Sequence, residues 1–393
     1  MKIVDTLNNK NILIWGYGRE GKATESFIKN YCNNVKYDIY EGDKDGFNDS
    51  DYDLIIKSPG IPYFTEDQKY TSETRLFVEE FKNQIIAITG SKGKSTTSSL
   101  LYQALLDANR KAIFVGNIGN PCFDYYSEIT EDTTIVFEIS AHQLLTVNSS
   151  PHIGIFLNLY EEHLDYYKSM DNYFNAKANI GRFQTKDDYL LLGNNVPDIN
   201  CQSNVVRINN DLHFEMNLLG QHNQYNANFV YYVLNKLLNI DDSSIRNSFK
   251  NFKNLKHRID YVGKIDDIDY YDDSISTIPQ ATISAINSIP NIQTVIIGGM
   301  DRGIDYDVLI DFINNNNSYK YIMMYASGKR IYDSVNKSDN CKYVDTLDKA
   351  VELAKTITEK GRACVLSPAA ASYDSFKNFE ERGDKYIEYI KNK

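Results

Sequence analysis

The chain lacks the features that would place it in a membrane or on nucleic acid. No apolar run approaches the ~18 residues of a membrane-spanning helix, and the first residues lack the apolar core of a signal peptide. Basic residues are the minority, with 42 Lys and Arg against 53 Asp and Glu, and the net charge is −11. We therefore expect no membrane span, no secretion and no broad electrostatic surface for nucleic acid.

Cysteine and proline are also scarce. The 5 cysteines are scattered and form no CxxC pair, which indicates reduced thiols and predicts a cytoplasmic protein. With only 8 prolines, the chain shows no low-complexity linker and no short-period repeat. Its 393 residues exceed what one hydrophobic core usually serves, so more than one domain is expected.

Short apolar runs alternate with helix-period stretches along the whole chain. This pattern is typical of α/β proteins with parallel sheets built from strand-helix-strand units. We predict three domains, residues 1–83, 84–257 and 258–393: a Rossmann-like domain, a central P-loop ATPase-type domain with a parallel sheet, and a second Rossmann-like domain. The predicted strands are Asn11–Trp15, Tyr37–Tyr40, Asp53–Lys57, Ile85–Thr89, Thr134–Ile139, Ile153–Leu157, Asp269–Asp272, Thr294–Gly298, Tyr321–Tyr325 and Ala363–Ser367.

The most informative segment follows the predicted strand Ile85–Thr89. It reads Gly90-Ser91-Lys92-Gly93-Lys94-Ser95-Thr96 and leads into a predicted helix. Glycines let backbone N–H groups curl around phosphate oxygens, and the start of a helix adds positive potential. Lys94 is suited to neutralise phosphate charge and Ser95 to bind Mg²⁺. The segment predicts a phosphate-binding loop, and a tight turn with a surface lysine is the alternative.

Further motifs follow the phosphate loop in order along the chain. They are Gly116-Asn117-Ile118-Gly119, Glu138-Ile139-Ser140-Ala141-His142-Gln143, Glu161-Glu162-His163-Leu164-Asp165, Asn175-Ala176-Lys177, Gly220-Gln221-His222-Asn223, His257-Arg258, Asp272-Asp273-Ser274 and Leu366-Ser367-Pro368-Ala369. With the phosphate loop, they resemble the Mur ligases and their folylpolyglutamate synthetase relatives over nearly the full length. The resemblance implies ATP-dependent amide-bond formation through an acyl phosphate, in peptidoglycan precursor synthesis.

The resemblance also implies a site for ATP and two Mg²⁺ ions in the central domain. Ser95 and Glu138 correspond to ligands of the ion that bridges ATP, and His163 to a ligand of the second ion. Lys177 corresponds to a lysine that CO2 converts to a carbamate and that helps to hold the second ion. The implied catalytic residues are Lys94, Asn117, His163 and Lys177. The implied ATP contacts are Gly90, Ser91, Lys92, Gly93, Lys94, Ser95, Thr96, Asn226, Arg258 and Asp273.

Two of these assignments have a structural alternative. A hydrogen-bonded core histidine would explain His163 without a metal, and a solvated helix lysine would explain Lys177. Carbamate formation needs a neutral amine, which burial and neighbouring cations supply by lowering the pKa of a lysine. Burial of Lys177 would therefore favour the carbamate.

A second glycine motif, Gly16-Tyr17-Gly18-Arg19-Glu20-Gly21, lies between a predicted strand and a predicted helix. Taken alone it predicts an NAD-dependent oxidoreductase, with Asp38 or Glu41 on the ribose. The start of a helix binds the pyrophosphate of UDP equally well, and the resemblance to the glutamate-adding Mur ligases implies that use. The implied contacts to the UDP-linked substrate are Gly18, Arg19, Glu20, Gly21, Glu41, Ser58, Gly60, Asn117, Ser140 and Gln143. Here Ser140-Ala141-His142 stands where the family usually has two serines and Phe.

The run from Leu366 to Gly383 also resembles the glutamate-adding Mur ligases, which act on UDP-N-acetylmuramoyl-L-alanine (UDP-MurNAc-L-Ala). The implied glutamate contacts are Thr277, Arg302, Ser372, Tyr373 and Phe379. Arg302 is suited to bind the side-chain carboxylate through two parallel hydrogen bonds. D-glutamate is the first prediction. L-glutamate is the alternative, because Ile275, Arg302 and Tyr373 depart from the family pattern.

Two other classes of function stay open at this point. An oxidoreductase would leave the segment Gly90–Thr96 and His163 without a role. A non-catalytic nucleotide-binding protein of the same fold is disfavoured because Lys94, Glu138 and Lys177 are all present. We expect small-molecule substrates, no nucleic-acid or membrane partner, and a monomer.

Overall fold

The computed structural model describes residues 2–65, 67–117, 119–218, 220–252, 256–336 and 339–392. The strands are β1 (Asn11–Trp15), β2 (Lys36–Tyr40), β3 (Leu54–Lys57), β4 (Tyr70–Thr71), β5 (Ile85–Thr89), β6 (Ala112–Gly116), β7 (Thr134–Glu138), β8 (Ile153–Phe156), β9 (Tyr189–Leu192), β10 (Asn204–Arg207), β11 (Asp260–Ile265), β12 (Ile268–Asp272), β13 (Ile292–Ile297), β14 (Lys320–Met324), β15 (Cys341–Val344) and β16 (Ala363–Leu366). The helices are α1 (Lys2–Leu7), α2 (Arg19–Tyr31), α3 (Glu73–Phe81), α4 (Lys94–Asp107), α5 (Ala141–Leu144), α6 (Leu164–Tyr167), α7 (Met170–Arg182), α8 (Gln221–Tyr232), α9 (Asp242–Asn251), α10 (Pro279–Ser288), α11 (Asp307–Asn315), α12 (Tyr325–Ser334), α13 (Leu347–Ile357) and α14 (Phe379–Lys391). A π-helical turn, Val233–Leu237, extends α8.

The strands form three sheets. Their orders are β2-β1-β3-β4, β10-β9-β8-β5-β7-β6 and β11-β12-β16-β13-β14-β15. Among the described strands, β11 and β12 pair antiparallel, and the other pairs are parallel. The predicted α/β class with parallel sheets is therefore confirmed. None of the described helices is long and apolar enough to cross a membrane.

The chain forms two compact units. The first comprises Met1–Met216 and His222–Phe252 and holds the first two sheets; the second comprises Asn217–Gln221 and Lys253–Lys393 and holds the third. The boundary predicted between residues 83 and 84 separates two sheets of one unit. The division into domains at 83/84 and 257/258 stays a prediction.

A shared hydrophobic core joins the two sheets of the first unit. Ile12 and Ile14 of β1 belong to the same buried cluster as Ala87 of β5. In this cluster Phe27 of α2 stacks on Phe123, which follows β6, with ring centroids 4.4 Å apart. This packing fixes the glycine turn that precedes α2 relative to the second sheet.

The sheet of the second unit is covered on both faces. Along β13, Val295 and Ile297 belong to one buried cluster and Ile296 to the other, as the alternation of side chains along a strand requires. Helices α10, α11 and α12 cover the first face, and α13 and α14 cover the second. Burial on both faces leaves the ends of the strands as the places where loops can bind a ligand.

Candidate active site

The phosphate loop after β5 has the backbone that its glycines predict. Gly90 and Gly93 have φ of +156° and +84°, and a Cβ at residue 93 would lie 2.8 Å from Asn226 Oδ1. Asn158 holds the loop from another side, because it accepts from Lys92 N at 2.8 Å and donates to the Lys92 carbonyl at 3.0 Å. The loop leads directly into α4, a helix of 14 residues, whose first N–H groups carry positive potential.

Two lysines converge on this loop. Lys94 Nζ and Lys177 Nζ both donate to the Gly90 carbonyl, each at 2.9 Å. Lys177, on α7, is 1% exposed, and its Nζ lies 4.7 Å from the ring centre of Tyr173. Burial holds the pKa of Lys177 well below its usual range, and the charge of Lys94 lowers it further. The lowered pKa favours the neutral amine that carbamate formation requires.

Glu138 ends β7 beside the start of the phosphate loop. Its carboxylate is 1% exposed and accepts hydrogen bonds from Asn117 Nδ2 at 3.0 Å and Ser98 Oγ at 3.4 Å. Both donors are neutral, so a bound cation would offset the buried charge. Ser95 lies in the first turn of α4, so carboxylate and hydroxyl oxygens, which Mg²⁺ prefers, lie on neighbouring elements. These residues fit a Mg²⁺ ion.

His163 precedes the short helix α6 and has a left-handed backbone, with φ of +57°. Its ring centroid lies 5.2 Å from that of His142 and 6.1 Å from that of Tyr173. Within the part of the chain that is described, no cluster of three or more His, Cys, Asp or Glu side chains is suited to a metal. The donors predicted for the second ion are instead mixed, namely the His163 imidazole and the modified Lys177.

A cavity of about 610 Å³ in the first unit brings together residues from three of the predicted groups. Its lining includes the predicted catalytic, metal-binding and substrate-binding residues Gly18, Arg19, Glu20, Ser58, Gly60, Lys94, Asn117, Ser140, Gln143, His163 and Lys177. The two glycine motifs therefore open into one space, where a nucleotide-linked substrate and a phosphate donor can meet. The individual roles of these residues stay predictions.

Two predicted substrate contacts do not line this cavity. A Cβ at residue 21 would lie 2.2 Å from the Gly16 carbonyl oxygen, so Gly21 allows α2 to pack closely against the turn. Glu41 follows β2 and is exposed. The structure gives Gly21 a packing role and places Glu41 away from the cavity wall.

Glu20 links the first glycine turn to the segment after β7. Gln143 Nε2 donates to Glu20 Oε1 at 2.8 Å, while the buried Oε2 has no hydrogen-bond partner among the described residues. Burial raises the pKa of Glu20 to about 7, against the opposing effects of Gln143 and Lys57. Lys57 is itself buried, which lowers its pKa to about 8. Sequence reasoning missed Lys57, whose signal was its place at the end of β3, directly before Ser58.

The predicted glutamate contacts lie on the second unit. Thr277 follows β12, Arg302 follows β13, and Ser372 and Tyr373 follow β16. These three strands are neighbours in the order β12-β16-β13 and run parallel, so their carboxyl ends meet at one edge of the sheet. The fifth residue, Phe379, begins α14. Of the five, Thr277, Arg302 and Tyr373 are exposed.

Arg258 and Asp273, the predicted phosphate and ribose contacts, also lie in the second unit. The Asp273 carboxylate is 2% exposed and accepts from Ser367 Oγ at 2.7 Å and Ile259 N at 3.2 Å. Burial raises the pKa of Asp273 to about 7. The structure thus gives Asp273 partners inside its own unit, and its contact with ribose stays a prediction.

Similarity to known proteins decides the family. Residues 88–202 match the profile of the Mur ligase middle domain. Over 438 aligned positions the chain is 31% identical to the UDP-N-acetylmuramoylalanine--D-glutamate ligase of Oenococcus oeni, with 99% of each chain covered. The chain belongs to the Mur ligase family. The resemblance to the glutamate-adding Mur ligases, the MurD type, is confirmed.

Further relatives support the same placement of this Mur ligase. The ligase of the same name from Aquifex aeolicus is 30% identical, with 96% of this chain and 98% of the relative covered. Among solved structures, the MurF ligase of Thermotoga maritima in complex with ADP has a TM-score of 0.64 at 14% identity, covering 99% of this chain and 96% of that one. The structural likeness confirms the Mur ligase fold. The oxidoreductase alternative is not favoured.

Proposed function

We propose that this Mur ligase joins D-glutamate to UDP-MurNAc-L-Ala at the expense of ATP, in the cytoplasm, during peptidoglycan precursor synthesis. The observation that carries the proposal is the cavity in which the turn at Gly18, the phosphate-loop Lys94, His163 and Lys177 meet. The names of the curated relatives support the substrates. The ADP bound to a Mur ligase of the same fold supports the use of ATP.

In this proposal the UDP-linked substrate lies along the cavity from the first glycine turn to the phosphate loop. The start of α2 offers unpaired N–H groups to the pyrophosphate. Asn117, Ser140 and Gln143 line the cavity from the second sheet, where they can hold the muramoyl-alanine part. This placement directs the alanyl carboxylate toward Lys94 and Lys177.

The first chemical step transfers the γ-phosphoryl group of ATP to the alanyl carboxylate. A carboxylate oxygen forms a bond to the γ-phosphorus, the bond to the β-phosphate oxygen breaks, and ADP leaves. Lys94 and the N–H groups of the phosphate loop stabilise charge on the phosphate oxygens. Bound Mg²⁺ supplies further positive charge there, and Ser95 and Glu138 are the side chains that would hold it.

The second step forms the amide. The glutamate amine attacks the acyl carbon, a carbon–nitrogen bond forms, phosphate leaves and the amine loses a proton. The loops that carry Thr277, Arg302 and Ser372 are proposed to bind the glutamate. Arg302 is exposed, and its planar guanidinium group is suited to donate two parallel hydrogen bonds to the side-chain carboxylate of glutamate.

We further propose that Lys177 carries a carbamate. Its neutral amine would attack CO2, forming a carbon–nitrogen bond and releasing one proton, so a buried neutral amine is replaced by an anion. That anion would lie close to the charge of Lys94, which offsets part of its desolvation. The carbamate oxygens and the His163 imidazole would hold the second Mg²⁺.

The deciding experiment uses the purified chain with UDP-MurNAc-L-Ala, ATP and Mg²⁺, and offers D- and L-glutamate separately. Phosphate release and the mass of the product are measured. We expect a product with D-glutamate alone, no product with Lys94→Ala, and full turnover with the exposed control Lys111→Ala. A product with L-glutamate alone would move the assignment to the alternative substrate, and no ATP-dependent product with either would overturn it.

A further inference from the structure

Arg382, in the first turn of α14, is a fully buried cation, with 0% of the residue exposed. Its Nε donates to Ser274 Oγ at 3.0 Å and its Nη2 donates to the Ser274 carbonyl at 2.7 Å. Its Nη1 donates to the carbonyls of Ala370 and Ala371, at 3.0 and 3.2 Å. One rigid guanidinium group therefore joins the loop after β12 to the loop after β16.

The loop after β13 approaches the same group. A Cβ at residue 299 would lie 2.9 Å from Arg382 Nη1 and 2.4 Å from the Ala371 carbonyl oxygen, so only glycine fits. Next to it, Met300 N donates to the Ala371 carbonyl at 2.9 Å. All three loops at the carboxyl ends of β12, β13 and β16 thus meet at Arg382.

These four acceptors of Arg382 are neutral groups, three carbonyls and one hydroxyl. Burying a cation among neutral acceptors costs free energy, and burial lowers the pKa of Arg382 to about 10, although the nearby Asp272 opposes this. A neutral side chain could fill the same space at a lower cost. The charged, planar group gives the three loops a fixed geometry and a positive potential that a neutral side chain would not supply.

We propose that Arg382 is a positioning residue for the amino-acid substrate, holding the loops 273–277, 298–303 and 370–373 in the arrangement that binds glutamate. The inference rests on the proposed function, because those loops carry Thr277, Arg302 and Ser372. A planar fork fixes the angle between loops, whereas the point charge of lysine does not. Loss of the fork should therefore weaken binding of glutamate and leave the cavity of the first unit unaffected.

The primary test is Arg382→Lys in the full chain, with Arg362→Lys as the control on an exposed arginine of the same unit. We expect the KM for glutamate to rise about 10- to 100-fold, since displacements of about 1 Å cost that much. The KM values for ATP and UDP-MurNAc-L-Ala should change by less than about twofold. In Arg382→Ala, added guanidinium ion should lower the KM for glutamate again.

A second variant tests the same inference in case Arg382→Lys does not fold. Ser274→Ala removes one acceptor of Arg382 and the hydroxyl that donates to the Phe379 carbonyl at 2.8 Å. It should raise the KM for glutamate alone, by less than the Lys variant. A loss of thermal stability with an unchanged KM for glutamate, or an equal rise of all three KM values, would overturn the inference. The turnover of the wild type tests the proposed function. The inference is tested separately, by the ratio of each KM value in a variant to that in the wild type.

Discussion

Glu20 offers a stability test whose sign depends on pH. Raising its pKa from the ordinary 4.5 to about 7 corresponds to a free-energy difference of about 3 kcal/mol between its two protonation states. The folded protein then binds the proton more tightly than the unfolded chain does. The free energy of unfolding should therefore fall as the pH rises from about 4.5 to about 7.

The perturbation is Glu20→Gln, because glutamine keeps a hydrogen-bonding side chain of similar size and does not ionise. Relative to the wild type, the variant should gain up to about 3 kcal/mol of stability as the pH rises through that window. Lys57 has a pKa of about 8 and keeps its charge up to pH 7. The charge of Glu20 also helps to raise the pKa of the buried Glu73, so the measured difference includes the loss of that effect in the variant.

The assay is urea unfolding at pH 5, 6 and 7, followed by tryptophan fluorescence. The chain has one tryptophan, Trp15, which is 1% exposed on β1 and so reports on the first unit. Glu25→Gln is the matched control on the same helix, because hydrogen bonds from Lys29, Tyr17 and Tyr37 lower the pKa of Glu25 to about 2, so that it stays ionised throughout. If the free energies of unfolding of the wild type and Glu20→Gln depend on pH in the same way, the raised pKa of Glu20 is refuted.

Three further predictions concern the phosphate loop and Lys177, which contacts that loop from α7. Lys94→Ala should lower phosphate release at least about 100-fold and leave binding of UDP-MurNAc-L-Ala in calorimetry nearly unchanged; persistent turnover would exclude Lys94 from the chemistry. Lys177→Ala should lose activity and regain part of it with added short carboxylates, and an unchanged rate without rescue would count against the carbamate. Gly93→Ala should raise the KM for ATP about tenfold, because φ of +84° strains alanine and its Cβ would meet Asn226; wild-type kinetics would contradict the loop geometry.

The buried strands could be predicted from the sequence because their apolar runs are continuous. β1 and β5 have the predicted bounds, and β7, β8 and β16 end one residue earlier than expected. The strands that the sequence did not reveal include the sheet edges β4, β6, β10, β11 and β15. β10 and β11 are partly or fully exposed, and their mixed polar and apolar residues resemble those of loops, whereas the mostly buried, apolar β6 has no such explanation.

The first-unit site could be predicted from motif order, since Gly18, Lys94, His163 and Lys177 line one cavity. The role of Arg382 could not. Its acceptor Ser274 lies 108 positions earlier in the chain, and helix-period sequence does not show which carbonyls will surround a charged residue. Gly21 and Glu41 were assigned to the UDP-linked substrate by resemblance, which does not show which residues of a segment will line the cavity, and their contact with the substrate stays a prediction.

Lys94 and Lys177 donate to the same carbonyl oxygen, and their closeness bears on the order in which CO2 and ATP bind. In the absence of nucleotide, burial and the nearby ammonium group of Lys94 lower the pKa of Lys177, which favours the uncharged amine. An arriving triphosphate would bring several negative charges and favour protonation of the same amine. Capture of CO2 should therefore precede loading of the nucleotide, and enzyme stored without bicarbonate should show a lag when ATP is added first.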